Sequence, residues 1–219
     1  MLEQIRQRLE SLGLIPVLRS KSASEAQALV EAMVAGGVTV MEVTMTVPGA
    51  VGVIQSLREK YGDQLLLGAG TVLDARQCSA AIDAGAEFVV SPSLHREVIS
   101  RTKEMGKISI PGALTPTEVV TAWNAGADYV KIFPCSAVGG PSYLKALKAP
   151  LPHIRLIPTG GVTLDTAVEY LRAGAAALGV GSDLVNTAAL AQGKPEIITD
   201  TARKYLKIIQ QERAASASH

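Results

Sequence analysis

The 219 residues suit one domain of barrel size or two small ones; 47% are hydrophobic but only 4% aromatic, so the core must be built from Val, Leu, Ile and Ala. That composition fits strands buried on both faces with alanine-rich helices laid against them. A net charge of +1 without any basic block offers no footprint for nucleic acid or an anionic membrane, and no apolar run reaches membrane-spanning length.

The chain opens on a charged helical pattern, Met1 to Glu10, with Leu2, Ile5, Leu9 and Leu12 on one face. It lacks the apolar stretch of a signal peptide and reads as an N-terminal helix. Eight strands are expected next: Leu14–Arg19, Val38–Met45, Leu65–Thr71, Phe88–Pro92, Ile108–Gly112, Tyr129–Phe133, Arg155–Thr159 and Ala177–Gly181. Helical patterns lie between them, with cap-like starts at Ser22–Ser24, Thr115–Thr117 and Thr163–Asp165. Four turns repeat as helix stops: Ala35-Gly36-Gly37, Ala84-Gly85-Ala86, Ala125-Gly126-Ala127 and Ala173-Gly174-Ala175. Alternating strands and helices imply βαβ units, and eight of them imply a (β/α)8 TIM barrel with an extra N-terminal helix over residues 1–213. An open doubly wound sheet is the alternative. The small, polar residues 214–219 read as a disordered tail. Cys78 and Cys135 match no metal or redox spacing, so they read as reduced thiols of a cytoplasmic enzyme.

In such a barrel, chemistry sits at the C-terminal ends of the strands. The polar residues there are Arg19, Glu42, Thr44, Thr71, Ser91, Lys131, Thr159 and Ser182. Lys131 stands in the apolar run Tyr-Val-Lys-Ile-Phe-Pro, where burial favours the neutral amine that a Schiff-base nucleophile requires. The bland reading is an edge-strand lysine that snorkels. Glu42 lies in Val-Met-Glu-Val-Thr, and a buried carboxylate needs a cation or a task. It reads either as an ion pair with Arg19 or as a proton shuttle beside Lys131.

Two glycine clusters, Thr159-Gly160-Gly161-Val162 and Gly179-Val180-Gly181-Ser182, follow the seventh and eighth strands, where barrels commonly hold phosphate on backbone N–H groups. Tight turns alone are the simpler reading of each. Gly68-Ala69-Gly70 and Gly179-Val180-Gly181 resemble a dinucleotide fingerprint but lack its third glycine. No strand end carries a histidine to activate Cys135 or ligate zinc, so no metal is expected.

These residues resemble the class I 2-keto-3-deoxy-6-phosphogluconate (KDPG) and 4-hydroxy-2-oxoglutarate aldolases and their phosphogalactonate relatives. The likeness runs from about Leu14 to Val185. It rests on Glu42-Val43-Thr44, Gly68-Ala69-Gly70-Thr71-Val72, Val90-Ser91-Pro92, Pro111-Gly112, Lys131-Ile132-Phe133-Pro134, Pro158-Thr159-Gly160-Gly161-Val162 and Gly179-Val180-Gly181-Ser182. It implies a cofactor-free retro-aldol lyase working through a covalent Schiff base on Lys131, with Glu42 moving protons. By the same likeness Arg19 and Thr71 hold the carboxylate end, Pro92 shapes the pocket, and Gly160, Gly161, Gly181 and Ser182 hold phosphate, with Thr159 beside them. Some KDPG aldolases carry an arginine four residues after the glutamate; here Thr46 stands there, and Arg19 takes over the charge, a feature closer to the phosphogalactonate enzymes. A small phosphorylated keto acid as partner and a homotrimer follow from the family too. Two other readings compete: a phosphosugar isomerase or epimerase on the same barrel, and a phosphate-binding barrel without catalysis.

Overall fold

The computed structural model describes residues 2–217. Helix α1 (Leu2–Leu12) precedes β1 (Leu14–Leu18), α2 (Ala23–Ala35), β2 (Val40–Thr44), α3 (Ala50–Tyr61), β3 (Leu66–Gly70), α4 (Ala75–Asp83), β4 (Phe88–Val90) and α5 (Arg96–Glu104). Then come β5 (Ile108–Ile110), β6 (Gly112–Ala113), α6 (Pro116–Asn124), β7 (Val130–Ile132), α7 (Pro141–Lys148), β8 (Leu156–Pro158), α8 (Leu164–Arg172), β9 (Leu178–Val180), α9 (Thr187–Ala191) and α10 (Pro195–Ala217). Each expected strand is present at its place, though shorter. The fifth is split in two at Pro111, which has no N–H to give to the ladder. The tail expected to be disordered from Ala214 instead continues α10 through Ala217; Ser218 and His219 lie outside the described residues.

The helix starts follow the expected caps. Ser22 accepts from the Glu25 N–H, and Thr115 forms a reciprocal box with Glu118 ahead of Pro116. At α8 the Thr163 N–H donates to Thr166 Oγ1 (3.0 Å). The four repeated turns all close in one way. At the first, left-handed Gly37 donates to Val34 O and Val38 donates to Met33 O, a pair of hydrogen bonds that needs a residue without Cβ penalty. Gly106 and Gly193 close two further helices similarly, without the flanking alanine that marks the other four.

All strand pairs are parallel. Six strands run in the order β5-β4-β3-β2-β1-β9 and three in the order β6-β7-β8, with bridges Leu156↔Ala175 and Thr159↔Gly179 beside β9. Within each sheet consecutive strands are neighbours, and β1 also pairs with the last strand, β9, the order of a curled sheet and not of a doubly wound one, whose order reverses.

Strand alternation divides the core. Leu14, Leu18, Met41, Val43, Leu67, Ala69, Val130 and Ile132 face the helices, where Leu29, Met33, Ile54 and Tyr205 are buried. Ile15, Val40, Leu66, Phe88, Ile108, Tyr129 and Ile157 fill the concave side together with Ile5 and Leu9 of α1, so the N-terminal helix plugs one end. Gly68 leaves room for Phe88, whose ring lies 2.2 Å from where a Cβ would stand. No described helix is long and apolar enough to cross a membrane.

Asp128, between α6 and β7, anchors the plug. Its carboxylate, 2% exposed, accepts from Arg6 of α1 (2.6 Å), Lys103 of α5 (2.7 Å) and the Ser109 N–H (2.9 Å). Removing it leaves two cations facing each other and a buried N–H unpaired. Asp128→Ala is expected to lower the unfolding free energy in urea by about 3 kcal/mol. A loss under about 0.5 kcal/mol would mean that these contacts are screened surface pairs.

Candidate active site

The alternation that packs the concave side also places the polar residues. Counting in twos, Val40 is followed by Glu42, Tyr129 by Lys131 and Ile157 by Thr159, so three apolar floor residues carry three polar ones above them. All three are buried. Register brings them together: Glu42 pairs with Val17 and Gly68, Lys131 with Gly112 and Ile157, and Thr159 bridges to Gly179. A small cavity results, lined by Glu42, Lys131 and Thr159 with Ile15, Val90, Ile110, Ile157 and Gly179.

Glycines make the space. A Cβ on Gly70 would sit 1.9 Å from Glu42 Oε1, and one on Gly179 would sit 2.2 Å from Thr159 Oγ1. Glu42 Oε1 is buried without a hydrogen-bond partner among the described residues. Burial pushes the Glu42 carboxyl above the usual carboxylate range, while the charges of Lys131 and Arg19 pull partly against it. The direct ion pair with Arg19 that the sequence allows does not form among the described residues; exposed Arg19 acts on Glu42 only at longer range. Lys131 Nζ stands 5.2 Å from the centre of the Phe133 ring.

Above the cavity lies a cleft of about 530 Å³. Arg19, Thr159, Gly160, Gly161, Gly181 and Ser182, all singled out from sequence, line it. Thr159 belongs to both spaces. Gly160 (φ 87°) and Gly161 (φ 75°) are both left-handed, and a Cβ on Gly161 would meet Ser136 Oγ at 2.2 Å. Thr71 and Pro92 are not among the residues lining either space. They follow neighbouring strands whose turns are tied by Val72 N–H to Val90 O (3.2 Å) and by Ser91 Oγ to Val72 O (2.7 Å). Thr71 holds φ 57°, a left-handed conformation costly for a β-branched residue. Thr44 and Ser91 prove to be ties: Thr44 Oγ1 donates to Leu18 O across β1 and β2.

Sequence reasoning passes over Phe133, Thr163 and Asp183, which also line the cleft. Phe133 was signalled by its place two residues after Lys131, on the same face of the strand. Asp183 carried no such signal, because it lies in a turn without a period.

The raised Glu42 pKa has a consequence for stability. A carboxyl shifted upward by folding contributes stability that is fully present below its unfolded pKa and is lost as pH rises through the folded value. Glu42→Gln is therefore expected to melt above the parent protein at pH 8, by roughly 3 °C, with the gap closing towards pH 4 in scanning calorimetry. A lower melting point for the variant at pH 8 would mean that the carboxylate is well paired.

Residues 5–201 match the family model described as "Aldolase: KDPG and KHG aldolase". The 2-dehydro-3-deoxy-6-phosphogalactonate aldolase of Escherichia coli K12 is 42% identical over 174 residues, 79% of this chain and 84% of that protein. The 2-dehydro-3-deoxy-phosphogluconate aldolase of Treponema pallidum is 35% identical over 205 residues, 94% of this chain and 97% of that protein. A KDPG aldolase from Legionella pneumophila, solved with pyruvate captured at low pH as a covalent carbinolamine intermediate, is 32% identical with a TM-score of 0.84, covering 91% of this chain and 97% of that one. With the family model spanning nearly its whole length, this chain is an aldolase and belongs to the KDPG and KHG aldolase family.

Proposed function

We propose that the chain is a Schiff-base aldolase that cleaves 2-keto-3-deoxy-6-phosphogluconate to pyruvate and glyceraldehyde 3-phosphate, without metal or organic cofactor. The observation that carries this reading is one buried cavity holding both a lysine amine and a carboxyl raised above its usual range. Lys131 attacks the C2 ketone. Glu42, protonated more readily than an exposed glutamate, passes protons as carbinolamine loses water to give iminium. It then takes the C4 hydroxyl proton while the C3–C4 bond breaks and its electrons flow into the iminium as enamine. Protonation of the enamine and hydrolysis release pyruvate and regenerate Lys131. The carbinolamine trapped in the Legionella relative supports the same opening steps here.

The rest of the site fits that substrate. Arg19 is the cation among the residues lining the cleft. By family likeness it meets the carboxylate end with Thr71, and Pro92 shapes the pocket, although neither Thr71 nor Pro92 lines the cavity or the cleft. Gly160, Gly161, Gly181 and Ser182 offer backbone and hydroxyl donors to the phosphate, beside Thr159. Closure of the two sheets into one (β/α)8 barrel is part of this reading. Pro111 alone separates β5 from β6, and the Thr159↔Gly179 bridge joins the opposite side. We place the enzyme among cytoplasmic homotrimers by family likeness.

A second reading, cleavage of the C4 epimer 2-keto-3-deoxy-6-phosphogalactonate, is favoured by the 42% identity to an enzyme of that name and by Thr46 in place of an arginine. Turnover of both epimers side by side decides between the two.

Incubation with pyruvate and borohydride should fix a reduced imine on Lys131, mapped by mass spectrometry, with activity lost in proportion. Label on another lysine, or activity retained in Lys131→Met, would sink the assignment and move weight to an isomerase that forms no covalent intermediate. Glu42→Gln should lower kcat by roughly 10²–10⁴ with the fold intact. Replacing Gly161 by a bulky residue should raise KM far more for the phosphorylated substrate than for its unphosphorylated analogue.

A further inference from the structure

The two glycine turns of the cleft belong to different strands, β8 and β9, yet a phosphate held by both requires them to converge to within a fraction of an ångström. Asp183, next to Ser182, reaches across. Its Oδ2 accepts from the Leu164 N–H at the first position of α8 (3.3 Å) and from the Tyr205 hydroxyl of α10. Leu164 follows Gly161 by three residues, so one carboxylate oxygen links the second glycine turn to the helix that begins at the first. Tyr205 is fully buried, and burial together with the Asp183 bond pushes its phenol above the usual tyrosine range, so it stays a donor at neutral pH. The turn itself is closed by Leu184 and Val185 N–H groups on Gly181 O (3.1 and 2.8 Å). The Asp183 contacts tie this turn to α8 and α10.

We infer that Asp183 and Tyr205 are positioning residues that hold the Gly181–Ser182 turn in register with Gly160–Gly161, and so set the enzyme's preference for a phosphorylated substrate. The inference rests on the proposed use of this cleft for phosphate. Tyr205 lies behind the turn and is absent from the cleft lining, so its effect on phosphate passes through Asp183. The carboxylate's charge is not the required feature: a single oxygen receives both donors, and an amide oxygen can take its place.

The test compares kcat/KM for 2-keto-3-deoxy-6-phosphogluconate with that for 2-keto-3-deoxygluconate in the parent enzyme, Tyr205→Phe, Asp183→Ala and Asp183→Asn, with melting temperatures alongside. The phosphate preference should fall roughly tenfold in Tyr205→Phe and Asp183→Ala, mainly through KM of the phosphorylated substrate. Asp183→Asn should restore it to within about twofold of the parent. If both substrates suffer equally in Tyr205→Phe, the contacts are merely structural and the inference is wrong. It is equally wrong if Asp183→Asn behaves like Asp183→Ala, since the charge would then matter. A parent enzyme without phosphate preference removes the phosphate reading and this inference with it, whereas a parental preference unmoved by Tyr205→Phe removes the inference alone.

Discussion

A strand buried on both faces gives a charged side chain no route to water, and the proposed active centre depends on that constraint. Helices cover one side of each strand and the packed concave interior closes the other. A lysine or glutamate in such a strand must therefore end in the concave space, at the height its register dictates. Lys131 and Glu42 lie 89 positions apart by numbering, yet they line one cavity because both strands carry them two residues beyond a floor residue.

That placement has an energetic cost. Among the described residues Glu42 Oε1 finds no donor, and the charges of Lys131 and Arg19 act on it without forming an ion pair. Burying a carboxylate in this way opposes folding at neutral pH. The proposed mechanism has a use for it, because a carboxyl that takes up protons more readily than an exposed one can both give and accept them during turnover. The glycines at positions 70 and 179 complete the arrangement from the opposite direction: their missing side chains are the volume into which Glu42 and Thr159 project.

The cleft follows different rules from the cavity. Its glycines sit on turns, which no strand alternation holds in place, and one lining residue, Asp183, ties such a turn to elements behind it. Asp183 and Tyr205 tie one turn to α8 and to the C-terminal helix α10, none of whose residues lines the cleft. At the far end Asp128 binds the N-terminal plug to the sheet.

Much of this is legible in the sequence, because local signals and strand alternation are written in consecutive residues. The caps Ser22, Thr115 and Thr163, the four repeated helix stops, the eight strand positions and the unusual burial of Lys131 and Glu42 all follow from spacing and side-chain chemistry. What the sequence leaves open are relations between distant segments. Residues 214–217 look like a frayed polar tail, yet they extend a helix whose earlier turns are anchored by Ile198, Ala202, Tyr205 and Ile209. Arg19 and Glu42 look like neighbours able to pair, yet their side chains diverge, one exposed in the cleft and the other sealed beneath it. Asp183 carries no local mark at all. Its role comes from accepting a helix N–H and a buried phenol that lie 19 and 22 residues away, contacts that exist only once the curled sheet has brought α8, α10 and the last turn together.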